Sequence, residues 1–192
     1  MSRLPKLNFP AIRLRARRRG DGVEVWDSLR GIYLVLTPEE WVRQHLIAYL
    51  TAYCGVQPKR IVQEYAVALN GQPQRADVVV VGDRAEPLLL AECKAPCIPI
   101  NGRTLAQAVR YNSVLGARYV ILTNGLRHYC CECRDGEYVQ LGGFPELSGD
   151  KAPPPVRFPW PFPCTRRYLI SARPDRYKFR KFLSIYPWKA SL

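Results

Sequence analysis

Apolar and polar positions alternate with period two in several short runs and with a helical period in two longer ones. Residues 12–19 (IRLRARRR) alternate apolar and basic side chains as far as Arg18. Gly20-Asp21-Gly22 follows, then Val23-Glu24-Val25-Trp26, which predicts a β-hairpin with a glycine-rich turn. One face would hold Ile12, Leu14 and Ala16, and the other Arg13, Arg15 and Arg17. Residues 31–36 (GIYLVL) add a short third strand. Thr37-Pro38-Glu39-Glu40 then opens a helix. Thr37 suits the N-cap, Pro38 the first helical position, and Glu40 the far end of a capping box. The helix should run to about Tyr53 and stop before Gly55. Val42, Leu46, Tyr49, Leu50 and Tyr53 form its apolar stripe. Glu39 projects along that stripe, Glu40 lies well off it, and Arg43 stands at its edge one turn after Glu39.

Three strands come next: residues 61–69 (IVQEYAVAL), 75–82 (RADVVVVG) and 88–94 (LLLAECK). The turn Asn70-Gly71-Gln72-Pro73 joins the first pair, so an antiparallel meander is expected. Side chains alternate between faces in a strand. Asp77 therefore shares a face with Val79 and Val81. In the third strand Leu88, Leu90, Glu92 and Lys94 share one face, and Leu89, Ala91 and Cys93 the other. Pro96 ends that strand. Residues 103–115 predict a second helix that stops at Gly116. Leu105, Ala108, Val109 and Asn112 are its inner stripe, and Gln107 and Tyr111 pair at i,i+4 on a different face. Residues 118–123 (RYVILT) are a strand reached through that helix, hence parallel to a neighbour. Residues 126–133 and 137–141 form a last hairpin about Arg134-Asp135-Gly136.

This order predicts an α/β (α+β) domain, with a mixed central β-sheet flanked by helices and an N-terminal β-hairpin. From Lys151 the pattern is lost. KAPPPVRFPWPFP opens a Pro-rich stretch in which aromatic and basic residues interleave. It reads as a linker-like tail without a core of its own, and its composition also suits stacking on single strands.

Charge sharpens the division. The net charge is +13. Residues 1–35 hold eight Lys/Arg against three Asp/Glu, residues 36–150 eleven against twelve, and residues 151–192 ten against one. The excess sits at the two ends, and basic ends suit a polyanion as well as they suit simple solvation. No apolar run approaches the length that spans a bilayer, and the N-terminus lacks the apolar core of an export signal. A cytoplasmic location, no membrane partner and reduced thiols are the expectations. Cys130, Cys131 and Cys133 are either small strand residues or part of a zinc site, and their spacing leaves both open.

The candidate chemistry lies where charge meets apolar strands. Asp77 heads one such strand and Glu92 and Lys94 end the next. Neighbouring strands would gather them at one end of the sheet. Burying charge is unfavourable unless it is paired or holds a metal. Two carboxylates with a lysine can hold Mg²⁺ and act on phosphate. A structural Glu92–Lys94 pair is the plainer alternative.

At these residues the sequence resembles the PD-(D/E)xK nuclease superfamily, through Asp77 followed at a 14-residue gap by Glu92-Cys93-Lys94. More narrowly it is similar to the N-terminal nuclease domain of type I restriction enzyme R subunits, and to small stand-alone proteins carrying that domain. The stretches LTPEEWVRQHLIAYL, RADVVVV, LLLAECKAP, QAVRYN and ILTNGLRHYC carry this resemblance. It spans roughly residues 5–147, with Ala76 in place of the name-giving proline. It implies a restriction-endonuclease-like fold and metal-dependent hydrolysis of DNA phosphodiesters. Asp77 and Glu92 would be ligands to Mg²⁺ or Mn²⁺ and Lys94 the catalytic lysine. Gln107 and Tyr111 fit the QxxxY motif of R subunits. Glu39 fits the first-helix acid, with Glu40 a close competitor and Glu64 a third acid nearby. Arg13, Arg15, Arg17, Arg43, Arg103 and Arg110 are the candidate DNA contacts. No GxxxxGK-Ser/Thr loop is present in the sequence, so no ATP site is expected here and a motor or restriction-modification partner would be separate. A homodimer would be needed to cut both strands together. The parts expected are a basic hairpin extension (1–35), a nuclease-like domain (36–148) and the tail (149–192). The competing expectation is a nuclease fold that binds nucleic acid or a partner without cutting.

Overall fold

The computed structural model describes residues 4–147. The Pro-rich tail, its stacking aromatics and Cys164 lie outside the described residues.

Two sheets form. The smaller has β1 (Ala16–Arg19), β2 (Gly22–Asp27) and β3 (Ile32–Val35), all antiparallel. The hairpin turn tightens to Gly20-Asp21, with Gly20 in the left-handed region at φ 56°. β1 starts later than the alternation predicted. Residues before it stay extended beside β2, where Trp26 N–H donates to the Arg15 carbonyl at 2.8 Å.

The larger sheet has six strands in sequence order: β4 (Ile61–Leu69), β5 (Gln72–Val81), β6 (Pro87–Cys93), β7 (Tyr119–Thr123), β8 (His128–Arg134) and β9 (Glu137–Gln140). Only β6 and β7 pair in parallel, because α2 (Gly102–Leu115) carries the chain back across the sheet between them. The β4–β5 turn is two residues, not the four expected. Asn70 and Gly71 both have positive φ, 50° and 74°, which the strand twist favours in such a hairpin. Gln72 and Pro73 thus belong to β5. Pro73 is tolerated because β5 has a strand partner on one side only there.

The helices cover opposite faces. α1 (Pro38–Tyr53) begins where Thr37 Oγ1 accepts the Glu40 N–H at 3.0 Å, a cap worth about 1 kcal/mol. The reciprocal half of the capping box does not form, since the Glu40 carboxylate turns to Arg43 and Gln44 instead. Val42, Leu46, Tyr49 and Leu50 pack against Val78, Val80, Leu89, Ala91 and Cys93, while Tyr53 is half-buried. Truncating Leu46 or Leu50, both fully enclosed, would cost about 2–5 kcal/mol. α2 is capped by Asn101 and ended by Gly116 in the left-handed conformation. It lays Ala108, Val109 and Tyr111 on Val79, Leu90 and Val120, with Asn112 also buried. Tyr111 therefore joins the buried stripe rather than standing apart from it, and Leu105 is only partly covered. A register shift between Val80 and Val81 turns Leu88 to the α1 side, away from the face that alternation gave it.

The segment before β1 is part of the α1-side core. Leu7 and Phe9 are buried there, and Asn8 N–H donates to the Gly125 carbonyl at 2.7 Å. At Gly125, φ is 80° and an added Cβ would come within 2.7 Å of the Leu7 side chain, so glycine alone fits.

Candidate active site

The candidate residues meet where β5 parts from its neighbours. β5 and β6 pair from Val81 to Val78, opposite Ala91, and the ladder stops there. One residue on, Asp77 Oδ2 accepts the Cys93 N–H at 2.7 Å, so a side chain replaces the next backbone acceptor. On the other side, the β4–β5 register passes from Gln63↔Val78 to Tyr65↔Ala76 without a Glu64↔Asp77 pair. Glu64 has φ 52°, a left-handed conformation that disfavours a glutamate by roughly 1–2 kcal/mol. Asp77 thus sits at a break in two ladders, and the break directs its carboxylate into the fork between β5 and β6.

Glu92 is on the β6 side of this fork and 2% exposed. Its Oε2 faces Lys94 Nζ at 3.4 Å and Gln107 Nε2 at 3.5 Å. Its Oε1 is buried with no hydrogen-bond partner among the described residues. Burial, then the charge of Asp77, raises the Glu92 pKa to about 8, well above the ordinary carboxylate range. Asp77 is raised too, by burial first. The Cys93 hydrogen bond, Arg43 and Lys94 work against that shift, and Glu39 works with it. For Lys94, burial favours the neutral amine, but the charges of Glu92, Asp77 and Glu39 outweigh it and keep the ammonium. Glu39 itself is exposed at the start of α1, yet its charge is felt at both Asp77 and Lys94. Cys93 faces the α1-side core, as the alternation required.

A hydrogen-bonded chain runs outward from Glu92. Gln107 Nε2 also reaches Tyr111 Oη at 3.3 Å, and that hydroxyl donates to Gln74 Oε1 of β5 at 3.3 Å. The i,i+4 pair was legible in the sequence. Gln74 was not, because its link to α2 is long-range and no local pattern marks it.

Arg43 lies elsewhere than on an exposed phosphate-binding edge. Its guanidinium bridges Glu40 and Glu64, and its side chain is 13% exposed. Burial opposes its charge, and the hydrogen bonds it donates to both glutamates more than compensate. Burial reverses the expectation from the stripe: Glu40 is buried and, like Glu64, occupied by Arg43, while Glu39 is exposed and acts on Asp77 and Lys94 only through its charge. The Glu40–Arg43 contact at i,i+3 was readable in principle. The contact with Glu64 was not, since it crosses from α1 to β4. Arg17 and Arg19 clasp Glu24, and Arg15 and Arg17 lie over the rings of Trp26 and Tyr33. Arg13, Arg103 and Arg110 are exposed. Cys130 and Cys131 enter opposite cores, as consecutive strand residues must.

The donor set suits a small hard cation. Among the described residues no group of three or more His, Cys, Asp or Glu side chains is gathered closely enough to hold a metal unaided. Mg²⁺ is commonly held through one or two carboxylates and retained waters. Asp77 and Glu92 provide that number, both short of positive charge, and the unpartnered Glu92 Oε1 is a buried acceptor without a donor.

Fold and site together define a mixed-sheet domain, sandwiched between two helices, with an under-neutralised carboxylate–lysine cluster at the sheet end. The family model described as type I restriction enzyme R protein N terminus (HSDR_N) matches residues 38–145, and the chain belongs to that family. It is thus related to a restriction-enzyme subunit. Among solved structures, the chain is similar to a fragment described as an HsdR subunit of a type I restriction enzyme from Vibrio vulnificus. The two are 23% identical with a TM-score of 0.46, over 57% of this chain and 24% of that one. No curated protein matches the sequence. Among the described residues no helix is long and apolar enough to cross a membrane.

Proposed function

We propose that this protein is a metal-dependent nuclease that hydrolyses DNA phosphodiester bonds, in the manner of a restriction endonuclease. The observation that carries this reading is the fork between β5 and β6. It gathers two carboxylates of raised pKa around one lysine, with one buried Glu92 oxygen unpartnered among the described residues. Family membership supports it, and the family's restriction context makes DNA the substrate to test first.

Asp77 and Glu92 would hold Mg²⁺ or Mn²⁺. When bound, such an ion supplies charge for the phosphoryl oxygens and a water of lowered pKa. Asp77 is oriented by the Cys93 N–H, and Glu92 by Lys94 and Gln107. Lys94, held as an ammonium, offsets negative charge building on the scissile phosphate or orients the attacking water. Tyr111 fixes Gln107, so its effect on Glu92 is indirect. Glu39 adds a further acid at the mouth of the site. An ATP-driven motor and other restriction-modification chains are proposed as partners, and a second copy for double-strand cleavage.

The test is plasmid cleavage by the purified protein in Mg²⁺ or Mn²⁺, with Lys94→Ala as control. Supercoiled DNA should be nicked or linearised by the parent and left intact by the variant. If the parent with metal leaves every form of DNA and RNA uncut, the proposal fails.

A further inference from the structure

The β4–β5 hairpin projects past the rest of the large sheet. Beyond Asp77, β5 has no pairing with β6, and Gln72–Arg75 are all exposed. The arm is nevertheless anchored. Val67 and Ala76 pack in one cluster with Ala108, Val109 and Tyr111 of α2, and Gln74 accepts the Tyr111 hydroxyl. Arm and helix therefore make one continuous surface, and the chain from Gln74 through Tyr111 and Gln107 ends on Glu92.

The charge on this surface has one sign. No Asp or Glu occurs from residue 65 to 76, nor from 93 to 131. Arg103 and Arg110 are exposed on α2 and Arg75 on the far face of the arm, since it alternates with Gln74 and Ala76, which face α2; among the described residues none of the three has a carboxylate partner. The small sheet differs, because its Arg17 and Arg19 are already paired with Glu24. A two-stranded ribbon fits the major groove of B-form DNA, and amides such as Asn70 and Gln72 at its tip can reach base edges.

We propose that duplex DNA docks along the β4–β5 arm and α2, with the arm in a groove and Arg75, Arg103 and Arg110 on the flanking phosphates. This rests on the nuclease reading for the choice of DNA. The link from Gln74 to Glu92 would then set the docked duplex in register with the carboxylate site.

The experiment is fluorescence anisotropy with a labelled duplex and the full chain in chelator, so that nothing is cut. Arg75→Glu, Arg103→Glu and Arg110→Glu are combined. Arg30→Glu, Lys59→Glu and Arg84→Glu, combined away from this surface, make the same change in net charge. The first set should weaken binding at least about tenfold and flatten the salt dependence by about two to three counterions, with little effect from the control set. The corresponding Arg→Gln set should act in the same direction, and it covers the case in which charge reversal disturbs folding. Equal weakening by both sets, no weakening by either, or no duplex binding by the parent overturns the proposal. Binding through this surface without Mg²⁺-dependent cleavage sinks the nuclease reading alone. Cleavage that ignores the three arginines sinks the docking surface alone.

Discussion

Two glutamates on one sheet show what separates finished structure from a site. Glu132 on β8 and Glu92 on β6 are 4% and 2% exposed. Arg118 donates to one oxygen of Glu132 at 2.9 Å and Arg134 to the other at 2.8 Å. Those bonds, Arg134's first, hold its pKa below the ordinary carboxylate range. Glu92 has one lysine at 3.4 Å, one amide at 3.5 Å and an oxygen with no partner among the described residues, and it shifts the other way. Both are covered, but Glu132 lies at the surface beneath the exposed Arg118 and Arg134 side chains while Glu92 is deep, so depth and the supply of donors together set the opposite signs. A carboxylate between two guanidiniums is complete, whereas one short of positive charge has room for a cation.

The largest test of this contrast removes a cation from each side. Lys94→Ala should reduce cleavage by about a hundredfold or more, while Arg134→Ala should leave the rate within about twofold and lower Tm. Similar cleavage losses for both would erase the distinction. Next, at about pH 8.5, where Glu92 is ionised, Glu92→Gln should stabilise the metal-free protein by roughly 1–2 kcal/mol, because it removes a buried and poorly matched charge. Glu132→Gln should instead lower the urea midpoint, and a shared sign for the two would break the comparison.

The pH dependence follows with opposite signs. Asp77 and Glu92 are raised on folding, so their contribution is fully present below the ordinary carboxylate values and is lost as pH rises through the folded ones. Glu132 is lowered, so its contribution is present above the ordinary value and lost as pH falls. His128, buried and pushed down to about 4, adds its own loss below the usual histidine range. Melting curves in chelator between about pH 6.5 and 8 therefore isolate the site, because at higher pH the buried Cys54 thiol, pushed up to about 12, adds a loss of the same sign. Stability should decline with rising pH there, and less steeply in Glu92→Gln. The smallest effect is a gain of a few degrees in Tm when Mg²⁺ is added to the parent at about pH 8, absent from Glu92→Gln.

Much of this architecture follows from local pattern. Period-two alternation located Asp77, Glu92 and Lys94 on adjacent strands and sent Cys93 to the core. The Thr37 cap, the Gly116 stop and the i,i+4 spacing of Gln107 and Tyr111 set both helices. What was not legible depends on contacts distant in sequence or on unusual backbone. Arg43 looked like a free cation because nothing local shows that Glu64 faces it across α1 and β4. Glu64 in the left-handed region is invisible to propensity, as glycine or asparagine would be the residue expected there. Gln74 is joined to Tyr111 only once the hairpin packs on α2. Of the hairpin arginines that read as available, Arg13 is exposed, while ring faces and Glu24 engage Arg15 and Arg17.

The bond from Asp77 to the Cys93 N–H bears on ion preference. It commits Oδ2 to holding β5 and β6 together, so a grip through both carboxylate oxygens would compete with the strand contact. Calcium often takes carboxylates in that two-oxygen fashion, whereas magnesium is satisfied by single oxygens and retained water. Discrimination between the two ions would thus be enforced by a piece of sheet, at some distance in kind from the chemistry it selects.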